Sequence, residues 1–314
     1  MFGATVSSYA TRKPTRCVDA LVADKTRSQF LLGTASLQGG NHIHVVEYVS
    51  GSNDVRLRHL YTHSDQVLDL APSPVDAALL FTEPLTSVAS LPTQATPPSR
   101  VVWKPDGSDA TATVASVHGK SVFLWDLQTA SLQQQDRLDV ATQDVSAVQW
   151  DPHHAHQLSF ASGAQIQTWD TRAHATAFLI EDAHLPRFWD LRAANKPLLA
   201  LAAHAHWLHR VRYNRFHDQL VLSTSSDATL ALWRVSSISS APIVELDEQD
   251  LMNEAAALGN DVVDTRIKSY EDHEDSVYST AWSAADSWLF ASVSYDGRMV
   301  VNTVPSTEKY KILL

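Results

Sequence analysis

The chain carries 15 histidines and 35 aspartates and glutamates among its 314 residues, material enough for proton transfer or metal binding wherever spacing brings them together. His153, His154 and His156 form the densest such group and could in principle hold a divalent metal. They follow Asp151-Pro152 in what reads as a turn between strands, where a solvated loop is the plainer role. No G-x-S-x-G, Walker-type phosphate loop, G-x-G-x-x-G or H-E-x-x-H occurs. With so many titratable groups, chance Ser/His/Asp combinations are inevitable and point to no nucleophile. The sequence therefore offers no catalytic residue, no metal site and no cofactor site, and reads as a non-enzyme.

What does recur is a ruler. Three Trp-Asp pairs close short apolar runs, at Phe123-Leu124-Trp125-Asp126, Gln167-Thr168-Trp169-Asp170 and Arg187-Phe188-Trp189-Asp190, while Ala231-Leu232-Trp233-Arg234 keeps the Trp. Trp125 to Trp169 is 44 residues, and Trp189 to Trp233 is 44 again. A second mark, an aromatic closing an alternating run, stands upstream at Trp103, Trp150, Tyr213 and Trp282. The third is a His: His63-Ser64-Asp65-Gln66-Val67 and His273-Glu274-Asp275-Ser276-Val277 share a His-x-Asp-x-Val pattern, and His204 is a looser copy. His204 to Trp233 and His273 to Asn302 are both 29 residues.

Units of this length, with period-two runs and Trp-Asp endings, resemble the WD40 repeat. The fold expected is an all-β WD40 β-propeller, nominally seven-bladed with the fifth blade truncated. A lone four-stranded blade cannot bury both faces, so successive blades must stack around an axis. The resemblance also implies a buried hydrogen-bond series of His, Ser, Asp and Trp in each blade, because buried polar groups must be paired. Here that series is expected at His204, Ser225, Asp227 and Trp233, and at His273, Ser294 and Asp296 with Asn302 in the Trp place. Gly119 and Gly163 stand where the turn Asp belongs in the third and fourth units, which leaves those series incomplete.

The units run from Thr15 to Tyr61, His63 to Ser99, Arg100 to Val140, Thr142 to Glu181, His204 to Tyr270 and His273 to Val304. Strand candidates in the first are Phe30–Ala35 and His42–Val49. Pro84, Pro92, Pro97 and Pro98 predict short or irregular outer strands in the second. One domain spans residues 1–314, with residues 2–11 supplying the outer strand of the last blade and so closing the ring. The fifth unit is broken: Trp169 to Trp189 is only 20 residues, 24 short of the period, and His184 to Trp189 is 5, also 24 short. Arg187–Arg192 and an outer-strand candidate at Pro197–Ala203 are all that remain, which fits either a six-bladed ring with a vestigial insert or, the preferred reading, a chain from which an internal piece is missing.

Charge narrows the partners. The formal net charge is −11, and Glu245–Asp275 alone holds 11 acids against Arg266 and Lys268. No basic face is available for phosphate contacts, so a nucleic-acid partner is not expected. Residues 241–268 form an acidic insertion in the sixth blade, read as a solvated loop or a docking element for a basic partner. No apolar run approaches the ~20 residues that span a bilayer, and Met1–Arg16 lacks the form of a secretory leader. The single cysteine, Cys17, suits a reducing compartment.

Longer matches narrow the family. Asp151-Pro152-His153-His154, Trp169-Asp170-Thr171-Arg172, Glu181-Asp182-Ala183-His184, His206-Trp207, Val211-Arg212-Tyr213-Asn214, Tyr270–Tyr278, Ser294–Arg298 and Lys309–Leu314 together resemble the EARP- and GARP-interacting WD40 proteins. That resemblance implies a cytosolic, monomeric adaptor for the endosome-associated recycling and Golgi-associated retrograde tethering complexes. Such an adaptor is recruited peripherally to the trans-Golgi network and endosomes, without inserting in the membrane, and supports retrograde transport and recycling. Propellers bind partners on the rim made by loops entering the first strand and joining the second to the third, through exposed aromatics and Arg. This selects His206, Trp207, Asp275, Ser276 and Tyr295, with Asp65 and Gln66 from the second blade. A competing reading comes from Trp-Asp-x-Arg, which occurs at Trp169–Arg172 and Trp189–Arg192. It resembles the box of cullin-4 ubiquitin-ligase substrate receptors, and Arg172 and Arg192 would carry it.

Overall fold

The computed structural model describes residues 7–76, 80–82, 99–105, 112–128, 131–139, 143–151, 154, 156–163, 165–172, 175–181, 187–190, 197–201, 204–240 and 264–313. Its strands follow from where apolar and small hydroxyl residues alternate or run together. A strand flanked by sheets on both sides can expose neither face, and Leu220–Ser225 and Leu289–Ser294 are buried at every position.

In chain order, the first sheet contains β2 (Thr15–Ala20), β3 (Ser28–Thr34), β4 (Asn41–Val49) and β5 (Asp54–His63). The third contains β8 (Arg100–Trp103), β9 (Ala112–His118), β10 (Ser121–Gln128) and β11 (Ser131–Asp139). The fourth contains β12 (Val145–Trp150), β13 (Gln157–Ser162), β14 (Gln165–Asp170) and β15 (Ala175–Glu181). The sixth contains β18 (Leu208–Tyr213), β19 (Leu220–Ser225), β20 (Leu230–Val235) and β21 (Asp264–Tyr270). In the last, β22 (Val277–Trp282), β23 (Leu289–Ser294) and β24 (Arg298–Thr303) are joined by β1 (Ser7–Ala10), which pairs from Ser7↔Val301 to Ala10↔Arg298. All pairings are antiparallel.

The other two sheets have two strands each: β6 (Leu70–Pro72) with β7 (Leu80–Thr82), and β16 (Arg187–Phe188) with β17 (Leu199–Ala200). The described residues thus form five complete blades, not six complete ones and one cut short. Pro84, Pro92, Pro97 and Pro98, and residues 182–186 at the break, lie outside the described residues. Of the acidic stretch, 241–263 also lies outside them, while Asp264–Lys268 belongs to β21.

Apolar side chains lock neighbouring sheets face to face. Phe30, Leu32 and Val46 of the first pack against Ala291, Val293, Met299 and Val301 of the last. Leu220, Leu222, Leu230 and Leu232 of the sixth meet Trp282 and Phe290, and Leu124 and Val117 of the third meet Leu158 and Phe160 of the fourth. Each fully buried Val, Leu, Phe or Met side chain among them is worth about 1.5–3 kcal/mol. Phe188 and Leu201 pack against Val221 and Trp233, joining the fifth position to the sixth. Among the described residues no apolar cluster joins the fourth sheet to β16 and β17.

A short helix, α1 (Ser306–Leu313), follows the last blade. Its Glu308 is buried and holds Arg234 of β20 at 2.9 Å, which fixes α1 to the sixth sheet.

Candidate functional site

Two polar systems and one surface cavity emerge from the sheets. The first is the buried series. His204 Nε2 lies 2.7 Å from Ser223 Oγ, and Trp233 Nε1 donates to the same oxygen at 2.8 Å. His204 Nδ1 lies 3.1 Å from Asp227 Oδ2, which also accepts the Ala205 amide. The serine is Ser223, not Ser225. Both lie on the face of β19 that carries Val221, but Trp233 pairs with Val221, so its indole reaches only the nearer serine. Ser225 instead accepts the Asp227 amide at 3.2 Å and shapes the turn.

The last blade repeats the offset. His273 Nε2 meets Ser292 Oγ at 2.8 Å, whereas Ser294 Oγ donates to the Asp275 carbonyl. Asn302 donates to Asp272 at 3.0 Å, and His273 Nδ1 stands 3.6 Å from Asp296. Burial lowers the His273 pKa and keeps the ring neutral.

The third blade finds a different solution. Trp125 donates to Ser116 Oγ at 2.8 Å, and His118 Nε2, from the end of the same strand, sits 2.9 Å from that oxygen. Its turn has two residues, Gly119-Lys120, with φ of 59° at Gly119, so the longer Ser-x-Asp loop has no place. In the fourth blade Phe160 occupies the serine position, and the buried Trp169 Nε1 has no partner among the described residues.

The second system lines the axis. Arg210 Nη2 of β18 reaches Asp69 Oδ1 at 2.7 Å, and Arg100 Nη1 approaches the same oxygen at 3.4 Å. Asp69 also accepts the Val101 amide, and Arg212 lies 3.6 Å from Asp19. Burial raises the Asp19 pKa and lowers that of Arg212. These charges tie the first, second, third and sixth sheets together across the ring.

The cavity, of about 240 Å³, is lined by Arg16, Ala35, Leu37, Gln66, Tyr278 and Tyr295. The Arg16 guanidinium lies 4.6 Å over the Tyr278 ring, whose other contacts are Tyr295 at 6.0 Å and a stacked His209 at 4.4 Å. His209 Nε2 sits 2.7 Å from Ser226 Oγ, and burial followed by the Arg16 charge lowers its pKa. Of the rim residues chosen from sequence, Gln66 and Tyr295 line the cavity directly. Ser276 stands beside it, its carbonyl accepting the Tyr295 amide and its hydroxyl 3.5 Å from the Ser226 carbonyl. Trp207 is 76% exposed, with His206 edge-on at 5.3 Å, and its carbonyl accepts the Ser226 amide. Asp65 and Asp275 are exposed on the flanking turns.

Arg16, His209 and Tyr278 were not selected from sequence. Each is the second residue of an innermost strand, and each is skipped by the pairing register: Thr15↔Thr34 is followed by Cys17↔Gly33, Leu208↔Ser225 by Arg210↔Thr224, and Val277↔Ser294 by Ser279↔Val293. Such bulges turn a side chain out of the ladder, here toward the mouth of the ring. Ser146 holds the same position in β12. No property of the residue itself announces a bulge; only the recurrence of position two across strands could have found these.

Of the two Trp-Asp-x-Arg boxes, Arg172 is exposed and pairs with its own Asp170 at 3.3 Å, while Arg192 lies outside the described residues. No group of three metal-ligating side chains gathers among the described residues. His154 lies 3.4 Å from Asp151, and His153 is outside them. No described helix is long and apolar enough to cross a membrane.

Four-stranded sheets packed face to face around an axis, with His–Ser–Trp series inside them, define a WD-repeat β-propeller, and residues 264–301 match the WD domain, G-beta repeat family. The chain is 30% identical to the EARP and GARP complex-interacting protein 1 of Rattus norvegicus and of Homo sapiens, each over 98% of both chains. It is 28% identical to the WD repeat-containing protein DWA2 of Arabidopsis thaliana, over 96% of this chain and 97% of that one. The chain belongs to the family of EARP and GARP complex-interacting proteins.

Proposed function

We propose that this protein is a non-enzymatic adaptor that binds the EARP and GARP tethering complexes and supports endosome-to-Golgi retrograde transport and endosomal recycling. The observation that carries the reading is the likeness to relatives named for those complexes, which runs through 98% of both chains and so includes the rim. On this reading the chain works in the cytoplasm as a single propeller domain and a monomer, recruited peripherally to the trans-Golgi network and endosomes. Exposed Trp207 and Tyr295 anchor the partner, with His206, Ser276, Asp275, Asp65 and Gln66 around them. Aromatic anchors ringed by polar groups suit that task.

The sheets β6–β7 and β16–β17 stand as the second and fifth positions of a seven-position ring, with the fifth truncated. The alignment to the human relative spans 381 positions against 314 residues here, so that relative carries segments this chain lacks.

Affinity capture from cells tests the function. Recovery of EARP and GARP subunits supports it. Recovery of cullin-4 and its adaptor in their place, lost on Arg172→Ala, overturns it in favour of the ligase reading.

A further inference from the structure

We infer that the Arg16–Tyr278–Tyr295 cavity is the specificity pocket of the partner-binding rim, and that it takes one lone carboxylate side chain, a Glu or Asp flanked by uncharged residues, from the partner. The inference rests on the adaptor reading and adds the chemistry of what is bound.

Three observations carry it. Arg16 has a cation–ring contact to Tyr278 but no carboxylate partner among the described residues, although Arg100, Arg210 and Arg212 of the innermost strands are all ion-paired. Its guanidinium is half-buried in the cavity wall, where an unpaired fork of donors suits a planar carboxylate. The lining mixes aromatic, apolar and polar groups, Tyr278, Tyr295, Ala35 and the highly exposed Leu37 with Arg16 and Gln66, so the methylenes of a Glu have apolar surface to pack on beside hydrogen-bonding groups.

Size and charge set the occupant. A cavity of about 240 Å³ admits one side chain, not a folded element. A single guanidinium balances a single negative charge. Asp65 and Asp275, on the turns beside Gln66 and Ser276, would repel the second charge of a phosphate monoester. The bulge at Arg16 holds the guanidinium away from the sheet ladder, so little order is lost on binding.

The test uses the full chain carrying fluorotyrosine, followed by fluorine NMR. The probes are acetylated, amidated peptides Ala-Leu-Glu-Leu-Ala, its Gln counterpart, and a third with phosphoserine at the centre. Tyr278→Phe and Tyr295→Phe assign the two resonances. The Glu peptide is expected to move both saturably, and to bind about tenfold tighter than the Gln peptide, the scale of one charge-assisted fork. Arg16→Gln should erase that difference. The Glu-against-Gln comparison on the unmodified protein stands even if Arg16→Gln unfolds. No saturable response, or a preference indifferent to Arg16→Gln, overturns the pocket, and tighter binding of the phosphoserine peptide overturns the carboxylate. Tether capture run beside it keeps the readings apart: capture retained with no peptide response sinks only the pocket, and capture lost with the peptide response intact sinks only the tether assignment.

Discussion

Arg16 and Tyr278 come from opposite ends of the chain, yet the guanidinium of one lies 4.6 Å over the ring of the other. Each is the extra residue of a β-bulge in an innermost strand, and β2 and β22 are neighbours because β1 closes the first sheet against the last. The mouth of the ring is thus built by closure. Disrupting β1 should disturb the cavity as well as stability.

Trp207→Ala and Tyr295→Ala, separately, should reduce capture of tether subunits by about tenfold or more, as expected for aromatic anchors. Melting temperature should change little, since both side chains are exposed. Unchanged capture with an intact fold would show that the rim assignment is wrong.

Ser223→Ala should destabilise by about 1–3 kcal/mol, because it strips the acceptor from buried Trp233 and the partner from His204 together. Ser225→Ala should cost clearly less. Urea unfolding of the two variants decides between them, and equal losses would contradict the offset seen in the structure.

Gly33 has no room for a methyl group: an added Cβ would lie 2.5 Å from both Cys17 Sγ and a Val67 methyl. Gly33→Ala should cost about 1–3 kcal/mol, in the range for overpacked cores. A calorimetric melt matching the unmodified protein would mean that the first two sheets can part without cost.

Asp69→Asn should lower stability by about 2 kcal/mol, less than the loss for a fully buried pair because Arg210 keeps some solvent contact. Arg210→Met in the same background should restore part of it by removing the uncompensated charge. Chemical denaturation of the single and double variants tests the coupling.

Acid should weaken the fold through His44. Burial, then the charge of His42, pushes its pKa down from 6.5 to about 4. The unfolded chain then binds the proton first as pH falls, so this contribution is intact above 6.5 and lost as pH drops from there toward 4. His209, His217 and His273 are shifted the same way. Melting temperature followed through that window should fall, and His44→Gln should shallow the slope; a flat profile would be incompatible with a buried neutral ring.

By itself the sequence determined the repeat and its period. Trp-Asp spacing and strand alternation are local properties, and a buried strand writes them into its residue order. It placed Trp207, Gln66 and Tyr295 on one rim because loop position follows from strand count. What it could not fix was any relation that depends on register. Ser223 and Ser225 share a face, so period alone cannot choose between them, and only the pairing of Trp233 with Val221 does. Arg16, His209 and Tyr278 look like ordinary strand residues until bulges expel them. The Asp69–Arg210 pair spans 141 residues and exists only because the ring closes. Tertiary structure decided these, since contacts between distant segments are set by how sheets stack, not by what lies beside each residue in the chain.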